Sequence, residues 1–537
     1  MLFHFLQLKS KKYPILFCLL SSLLLSAGWP PLPFAPLLFL FLLPLLFVVL
    51  QENNFWKIIL YSFLTFFVNG VITVHWAINV ANDVKGEIIL FLFGYLLMAA
   101  LMSLPVILFA WTENKMKSLL AWLSLPLYWM AYEYLQGHWD MAFMWLHLGL
   151  GLSCYPKWIQ FYEITGRLGG TFLIVCGNII FYLLLKYRHN QGIKKIVIAM
   201  SIFIASIVII TNLLLINSSQ PSNDTVKVAV VQANMNPYEK VTERVFEEQY
   251  KVFEKLVLSI KNEKSDLILC SEGFFKGCDT TPIVLNTIDS NRLIKSLKNI
   301  SCQINAPILT GAIVYKLYYT QQKPTSSAQL VSNSVYYDAF NAAIFVSPDK
   351  PVQFYVKTKL VPFMERVPFL DRLSFMECLH LDLNKMSGSY GRGEETNIFI
   401  YKNIKIAPVI CMESLFPDYV KEFVKKKANM IAIMTDDGWS GNTNGPTQHA
   451  LYSVPLAIEM RKPIVRSANT GVSLFVKESG QINNRTKLNE QTIVVQEILL
   501  DNKRTFFVRH GNILDLISIV GSTVFIGLSF FQRKNDD

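Results

Sequence analysis

Long apolar segments occupy the first part of the chain and its last residues, and a polar segment separates them. Apolar runs lie near residues 13–28, 32–50, 57–79, 87–111, 118–136, 163–185, 196–216 and 512–531. The run at 196–216 carries no charged residue, and roughly 20 apolar residues are what a helix needs to cross a bilayer. The pattern therefore predicts about seven transmembrane helices within residues 1–217 and a further one within 510–532.

The polar segment, residues 222–508, has the pattern of a separate α/β domain. Short runs rich in β-branched residues predict strands at 226–231, 267–269, 308–314, 342–346, 404–410, 430–434, 463–465 and 472–476. Apolar residues recur at the helical period between several of these runs, most clearly over residues 242–260. Strands that alternate with helices favour a mixed or parallel sheet covered by helices. A polar stretch at 217–224 is typical of a tether to the membrane segment.

Composition agrees with a membrane protein, and charge indicates its orientation. Of the 537 residues, 52% are hydrophobic, and the mean hydropathy is +0.34. Lys and Arg collect in the cytoplasmic loops of membrane proteins. With eight spans, the basic residues beside the spans fall on one side: Lys9, Lys11, Lys12, Lys57, Lys115, Lys117, Lys186, Arg188, Lys194, Lys195, Arg533 and Lys534. We therefore expect the 222–508 domain on the extracytoplasmic side. We interpret the net charge of +11 as a sign of membrane orientation and of attraction to the lipid surface rather than of nucleic-acid binding.

Three residues at or near the ends of apolar runs are the candidates for chemistry. Glu272 and Cys411 each follow a predicted strand, and Lys357 comes after a short apolar run. Acyl transfer through a thiol needs a base that takes the thiol proton and returns it, and a cation or N–H groups that stabilise the oxyanion. A glutamate, a lysine and a cysteine supply these parts without a metal. We also expect the N–H groups of a helix that starts after Cys411 to lower the pKa of its thiol.

Each of these residues also has a purely structural interpretation, which the three together weaken. A glutamate at a strand end can cap the next element, a lysine there can be a solvated edge residue, and a buried cysteine is most often a small hydrophobe. The domain has an odd number of cysteines, so at least one thiol stays unpaired within it: Cys270, Cys278, Cys302, Cys378 and Cys411. The histidines show no pair at metal-binding spacing, so we predict no metal site.

In their order and setting, Glu272, Lys357 and Cys411 resemble the catalytic residues of the nitrilase or carbon–nitrogen hydrolase superfamily, whose domain is an α–β–β–α sandwich. Within that superfamily, the segments 360–365 and 410–416 resemble apolipoprotein N-acyltransferases. The resemblance covers nearly the whole chain. It implies a multi-span α-helical membrane domain plus an α/β nitrilase-like α–β–β–α sandwich domain.

The resemblance implies a two-step, ping-pong acyl transfer without a cofactor. Cys411 would attack an acyl ester of a phospholipid and form a thioester, and the α-amine of the N-terminal diacylglyceryl-cysteine of an apolipoprotein would then take the acyl chain. Glu272 would act as general base and acid, and Lys357 would stabilise the oxyanion. Glu365 and Glu413 match family acids that support the intermediate or the lysine. The implied protein is a monomer in the inner (cytoplasmic) membrane, with its catalytic domain on the periplasmic side.

The resemblance also implies substrate contacts for Trp439 and His449. Three positions depart from the family pattern: Met364 stands where a glycine is usual, Asp436 stands for an asparagine, and Ser440 stands for an aromatic residue. These departures leave the three catalytic candidates intact. They put the role of the segment around Trp439 in question, and a change in acyl-donor preference is one expected consequence.

Two other functional classes remain open. A membrane-tethered amidase would share the three catalytic candidates but would not need eight membrane spans. An inactive scaffold that only binds lipoproteins would not need the three candidates. The membrane segments argue against the amidase, and the intact candidates argue against the scaffold.

Overall fold

The structure is a computed structural model and describes residues 2–80, 87–217, 224–236, 243–275, 282–372 and 389–531. Several features of the sequence analysis fall outside the described residues: most of the predicted tether at 217–224, Cys278, Cys378, Arg533 and Lys534. The chain divides into two units. Met1–Ser219 and His510–Asp537 form the first, and Gln220–Arg509 form the second.

Apolar stretches give the first unit its helices, because a helix satisfies its main-chain hydrogen bonds internally. The helices are α1 Leu2–Lys12, α2 Pro14–Ala27, α3 Leu42–Val49, α4 Phe55–Thr73, α5 Ala77–Val80, α6 Glu87–Met116, α7 Ser124–Gln136, α8 Tyr162–Thr165, α9 Leu168–Lys186 and α10 Gln191–Asn217, with α17 Ile513–Phe531 near the end of the chain. The short helix α16 Phe506–His510 begins in the second unit, which ends at residue 509. Among the described residues, five stretches are long and apolar enough to cross a membrane: Phe55–Thr73, Phe91–Met116, Leu168–Lys186, Gln191–Leu215 and Ile513–Phe531. By length and composition, the chain is a multi-pass membrane protein.

The other three predicted spans contain shorter helices. The run at 13–28 contains α2, and the run at 32–50 contains the 3-10 helix Ala35–Phe39 followed by α3. The run at 118–136 contains the 3-10 helix Leu119–Leu123 followed by α7. Proline lacks an N–H donor and breaks or begins helices, and each of these runs contains one or more prolines. The total of eight spans stays a prediction.

The second unit contains two mixed sheets. Its strands are β1 Thr225–Gln232, β2 Leu267–Leu269, β3 Ile308–Tyr319, β4 Gln329–Ser332, β5 Val335–Val346, β6 Gln353–Val356, β7 Phe399–Tyr401, β8 Ile404–Ile410, β9 Met430–Thr435, β10 Ile464–Ala468, β11 Leu474–Val476, β12 Ile482–Arg485 and β13 Thr492–Leu499. The first sheet has the order β13-β1-β2-β3-β5-β4 with β6 beside β5, and the second has the order β12-β11-β10-β9-β8-β7. Strands β1, β2 and β3 are parallel to one another, as are β8, β9 and β10. Each predicted strand is present, whereas the sequence patterns do not predict β4, β6, β7, β12 and β13.

The two sheets pack face to face and carry helices. The helices of this unit are α11 Glu243–Ser259, α12 Arg292–Ile304, α13 Pro417–Lys425, α14 Gly445–Leu451 and α15 Ser453–Met460. Buried side chains of α11, α12 and the first sheet, such as Phe253, Leu297 and Ile344, form one core. On the other face of that sheet, Phe345 stacks on Phe399 of the second sheet with the ring centroids 5.2 Å apart. In the second sheet, α13 packs on β8 and α15 packs on β11. The predicted α–β–β–α sandwich is confirmed.

Candidate active site

Cys411 lies at a sharp turn directly after β8. Its φ is +52°, in the left-handed region that residues other than glycine rarely adopt. It also opens the 3-10 helix Cys411–Leu415. A non-glycine residue in this conformation costs on the order of 1–3 kcal/mol, so surrounding contacts must hold it there. Backbone strain of this kind concentrates at active sites.

The thiol of Cys411 is protonated at rest. Burial and the Glu272 carboxylate raise the pKa of this thiol well above its ordinary value, and Lys357 and a contact with the Thr435 side chain oppose the rise only in part. The prediction that helix-start N–H groups lower this pKa is therefore wrong. Burial and a nearby carboxylate outweigh the N–H groups of one 3-10 turn. A neutral thiol needs a base before it can act as a nucleophile.

Lys357 follows β6 and lies between two carboxylates. Its Nζ donates to Glu272 Oε1 at 2.8 Å and to Glu365 Oε1 at 2.9 Å. The Lys357 side chain is 1% exposed, and those of Glu272 and Glu365 are 11% and 12% exposed. We call Glu272, Lys357 and Glu365 the charged cluster. Two carboxylates and one ammonium leave it with one negative charge in excess.

Hydrogen bonds fix both carboxylates of the charged cluster. Asn341 of β5 donates from Nδ2 to Oε1 of Glu272 and to Oε1 of Glu365, each at 2.8 Å. Glu365 Oε2 accepts from the N–H of Val361 at 2.8 Å. Glu272 Oε2 accepts from the N–H of Asp436 at 3.1 Å. Because Glu272 follows β2 and Asp436 follows β9, this contact joins the ends of strands from different sheets.

Neighbouring charges keep the charged cluster ionised, although burial opposes ionisation. Burial opposes the ionised form of Glu272, but Lys357 and the hydrogen bonds from Asn341 and Asp436 hold the pKa of this carboxyl below its ordinary value. Burial also opposes the ammonium, but Glu272 and Glu365 raise the pKa of Lys357 well above its ordinary value. The site thus keeps an ionised base and a cation beside a neutral thiol, which is the set that acyl transfer needs.

Glu413 is fully buried and connects the turn after β6 to the end of β8. One carboxylate oxygen accepts from the Tyr355 hydroxyl at 2.6 Å and from the N–H of Thr358 at 2.7 Å, and the other accepts from the N–H of Ile410 at 2.8 Å. Burial raises the pKa of Glu413 to about 7, although these donors pull it down. Within the described residues, Lys357 forms ion pairs with Glu272 and Glu365 and not with Glu413. Glu413 therefore supports the main chain on both sides of the site.

A second buried cluster lies next to the Cys411 turn. Asp437 Oδ1 lies 2.9 Å from His449 Nδ1, and Asp437 Oδ2 accepts from Arg466 Nη2 at 2.7 Å. His449 Nε2 lies 3.2 Å from the hydroxyl of Ser414, within the turn. The side chains of Asp437, His449 and Arg466 are 5%, 4% and 0% exposed. We call these three residues the imidazole cluster.

Trp439 is half-buried in the short 3-10 helix that follows β9. Next to it, the Ser440 hydroxyl donates to the Asp437 carbonyl at 2.7 Å. The Asp436 carboxylate accepts from a main-chain N–H of the same turn at 3.1 Å. Met364 is half-buried in the turn beyond β6. The three departures from the family pattern leave the contacts of the charged cluster in place, and substrate contacts of Trp439 and His449 stay predictions.

Five residues without a role predicted from the sequence also shape the site: Asn341, Tyr355, Ser414, Asp437 and Arg466. Asn341 opens the fully buried half of β5, where the residues after it are apolar, and Arg466 follows two apolar residues in the fully buried strand β10. Such a residue signals a buried hydrogen-bonding role, because buried polar groups need partners. Ser414 and Asp437 carry no comparable signal, since their partners come from distant segments of the chain.

Two family profiles match the chain. Residues 21–180 match the apolipoprotein N-acyltransferase N-terminal domain, and residues 227–505 match the carbon–nitrogen hydrolase domain.

Similar proteins align with nearly the whole chain. The apolipoprotein N-acyltransferase of Chlorobaculum tepidum is 27% identical over 93% of each chain. That of Rickettsia prowazekii is 28% identical over 94% of this chain and 96% of the relative. That of Haemophilus influenzae is 25% identical over 98% of this chain and 97% of the relative.

Solved structures resemble part of the chain. Saccharomyces cerevisiae Nit3, a member of branch 10 of the nitrilase superfamily, is 14% identical with a TM-score of 0.37 and covers 52% of this chain and 92% of its own. An amidase from Nesterenkonia sp. is 13% identical with a TM-score of 0.37 and covers 54% of this chain and 95% of its own.

Proposed function

The chain belongs to the carbon–nitrogen hydrolase family, and from that premise we propose that it transfers a fatty acyl chain from a phospholipid to an apolipoprotein. The acceptor is the α-amine of the N-terminal diacylglyceryl-cysteine. The family match at 227–505 covers just over half of the 537 residues. The predicted resemblance to apolipoprotein N-acyltransferases is confirmed by the N-terminal domain match and by relatives of that name along most of the chain.

In the first half-reaction, Glu272 takes the thiol proton while the sulfur of Cys411 attacks the ester carbonyl carbon of the phospholipid. The carbonyl electron pair moves onto oxygen, where the Lys357 ammonium stabilises the charge. The ester C–O bond then breaks, and the leaving oxygen takes the proton back from Glu272. The products are a thioester on Cys411 and a lysophospholipid.

In the second half-reaction, the α-amine of the lipoprotein attacks the thioester carbonyl carbon. Glu272 takes a proton from the attacking nitrogen, and Lys357 again stabilises the oxyanion. The C–S bond breaks, the sulfur of Cys411 receives the proton from Glu272, and the amide is complete. The proposed reaction uses no cofactor.

The observation that carries this proposal is one buried ammonium between two carboxylates beside a protonated thiol. Lys357 Nζ lies 2.8 Å from Glu272 and 2.9 Å from Glu365. Glu365 holds the ammonium in place and shares its charge, and Glu413 fixes the main chain that carries Lys357 and Cys411. Base and cation are therefore in position before a substrate binds, which is the arrangement that lowers an acyl-transfer barrier.

We further propose that the protein is a monomer of the inner (cytoplasmic) membrane, with residues 222–508 as a catalytic domain on the periplasmic side. Membrane helices within residues 1–217 and 510–532 hold that domain at the bilayer. Both proposed substrates carry lipid chains and are available only there. In this proposal Trp439 contacts the substrate.

Intact-protein mass spectrometry after incubation with phospholipid alone tests the proposal. Wild type should gain the mass of one fatty acyl group, and hydroxylamine or a diacylated lipopeptide should remove it. Cys411→Ala should lose thioester formation by roughly 10⁴-fold or more, because no other group replaces the nucleophile. Cys302→Ala is the matched control, since Cys302 is an exposed thiol outside the site, and it should keep the increment.

Three outcomes would contradict the proposal. An acyl increment on Cys411→Ala would exclude the mechanism. Ammonia release from simple amides that is faster than lipopeptide acylation would favour a membrane-tethered amidase. Binding of lipoproteins by the folded wild type without either reaction would favour a scaffold.

A further inference from the structure

The imidazole cluster reaches the nucleophile through a single hydroxyl group. Ser414 Oγ donates to the carbonyl of Cys411 at 2.8 Å and lies 3.2 Å from His449 Nε2. Both Ser414 and His449 are buried. These contacts form a continuous chain from the imidazole ring to the main chain of the nucleophile.

Asp437 determines which nitrogen of the ring carries the proton. A carboxylate only accepts hydrogen bonds, so His449 Nδ1 donates to Asp437 Oδ1 across 2.9 Å. Burial and Arg466 lower the pKa of His449 in spite of Asp437, and the ring is neutral. Nε2 therefore presents its lone pair to Ser414, whose single hydroxyl proton is shared between the Cys411 carbonyl at 2.8 Å and this nitrogen at 3.2 Å. The bond from Arg466 holds Asp437 in place.

The turn at Cys411 depends on such support, because its left-handed φ of +52° is unfavourable for a residue with a side chain. Glu413 holds the turn from one side by accepting from the N–H of Ile410. Ser414 holds it from the other side through the Cys411 carbonyl. A serine hydroxyl can rotate, and two acceptors that share its one proton, the Cys411 carbonyl and His449 Nε2, restrict it to a single orientation.

We propose that His449 is a positioning residue for the nucleophile. Through Ser414 it holds the turn that aims the sulfur of Cys411 at the acyl carbonyl carbon, and Asp437 and Arg466 keep the ring in place. This inference rests on the proposed function for its reaction and assigns His449 a role other than the predicted contact with substrate. A positioning role predicts a slower chemical step with unchanged binding of the phospholipid.

Variants that separate the two contacts of the ring test the inference. His449→Gln can place its amide oxygen, an acceptor like the Nε2 lone pair, beside Ser414, whereas the shorter side chain of His449→Asn reaches only the position of Nδ1, beside Asp437. The measurement is the single-turnover rate of thioester formation at several phospholipid concentrations, with the melting temperature recorded for each variant.

A misplaced nucleophile should slow the maximal rate roughly 10- to 100-fold. Ser414→Ala, His449→Ala and His449→Asn should all show this loss, and His449→Gln should stay within about threefold of wild type. The half-saturating phospholipid concentration should stay within about twofold. The double variant of Ser414→Ala and His449→Ala should be no slower than the slower single variant, because both remove one contact.

Ser301→Ala is the matched control. Ser301 is also buried, and its hydroxyl donates to the carbonyl of Ala306 at 2.7 Å, in a helix that does not carry the site. It should lower the melting temperature and leave the rate within about twofold of wild type. A wild-type rate in folded Ser414→Ala or His449→Ala would overturn the inference. Rate losses that multiply in the double variant would overturn it as well.

The inference and the proposed function fail in different ways. If wild type forms no thioester, the proposed function fails, and the inference is tested by the rate at which iodoacetamide alkylates Cys411, located by peptide mass spectrometry. Ser414→Ala and His449→Ala must then change the alkylation rate by the same factor, at least about fivefold, and Ser301→Ala must not. Unchanged alkylation in the first two variants would overturn the inference.

Discussion

Two buried clusters meet at Cys411, and they differ in how they balance charge. In the charged cluster, two carboxylates share the single ammonium of Lys357, so one negative charge is in excess. In the imidazole cluster, the charge of Asp437 is matched by that of Arg466, and His449 is neutral. Only the charged cluster can accept the thiol proton without leaving a cation unpaired.

The acidic side chains of the two clusters also differ in exposure. Those of Glu272 and Glu365 are 11% and 12% exposed, and that of Asp437 is 5% exposed. A substrate must be able to reach a group that exchanges protons with it. A group that only holds the main chain in place needs no such access. In the proposed mechanism, the cluster with excess charge and more exposed carboxylates performs the chemistry, and the cluster with balanced charge supports the main chain.

Removing the cation from each cluster is the strongest test of this difference. Lys357→Met leaves two buried carboxylates unpaired and removes the oxyanion's cation. We expect a destabilisation of about 3–5 kcal/mol and a loss of thioester formation of roughly 10³-fold or more. Arg466→Met leaves one buried carboxylate and should destabilise the protein in the same way but slow thioester formation only about 10-fold. Melting temperatures and single-turnover rates measure both effects.

Equal rate losses in Lys357→Met and Arg466→Met would contradict the distinction between chemistry and support. Adding Glu365→Gln to Lys357→Met sharpens the test, because it removes one unpaired charge. The double variant should recover part of the lost stability and none of the activity.

Glu365→Gln should slow thioester formation about 10-fold, because it removes the competitor for Lys357. The whole attraction of the ammonium then acts on Glu272, whose lowered pKa falls further and whose strength as a base falls with it. In wild type, the rate should be lost in acid only as pH falls below the ordinary glutamate pKa, and in Glu365→Gln this loss should move to still lower pH. The pH dependence of the single-turnover rate tests this.

A shift of the acid limb to higher pH in Glu365→Gln would contradict this expectation, because it would mean that the Lys357 ammonium moves away from Glu272 once Glu365 is neutral. Glu422→Gln is the control, because Glu422 forms an exposed ion pair with Lys425 outside the site. The acid limb should be unchanged in that variant.

Tyr355→Phe should have the smallest effect, on stability rather than on chemistry. It removes the hydroxyl that donates to Glu413 at 2.6 Å. The folded pKa of Glu413 is raised to about 7, so its protonated form stabilises the fold at low pH and this contribution is lost as pH rises through about 7. Below the pKa that Glu413 has in the unfolded chain, the variant loses a neutral hydrogen bond worth about 1 kcal/mol. Above pH 7 it loses a charge-assisted hydrogen bond worth about 1.5–3 kcal/mol. The difference in melting temperature from wild type should therefore widen with pH.

Tyr337→Phe is the control for that measurement, because its hydroxyl donates to the uncharged side chain of Gln329 at 2.6 Å. Its difference from wild type should stay constant over the same pH range. A constant difference in Tyr355→Phe as well would contradict the ionisation of Glu413 near pH 7.

Much of the fold is visible in local patterns. Buried strands such as β8 and β9 consist mostly of apolar residues, so the sequence predicts them and the catalytic candidate that follows β8. Strands such as β4 and β12 are four residues long and largely exposed, which is too short for a clear alternating pattern. They become strands only because a neighbouring strand supplies hydrogen-bond partners.

Pairing and protonation were not visible in the sequence. Cys411 stays a thiol because burial and Glu272, from the other sheet, raise its pKa, and a local helix-start argument predicts the opposite. Glu365 and Glu413 look alike as acids beside motif residues, yet Glu365 contacts Lys357 and Glu413 contacts Tyr355.

The sequence by itself determined that the chain is a multi-pass membrane protein with an α/β sandwich domain and that Glu272, Lys357 and Cys411 come in this order, because hydrophobic periodicity and position along a strand are local properties of the chain. Only the tertiary structure decided which carboxylates share the ammonium and which hydroxyl links His449 to the nucleophile. These depend on distances and burial that arise when two sheets pack, and residues far apart in the chain come within 3 Å of one another.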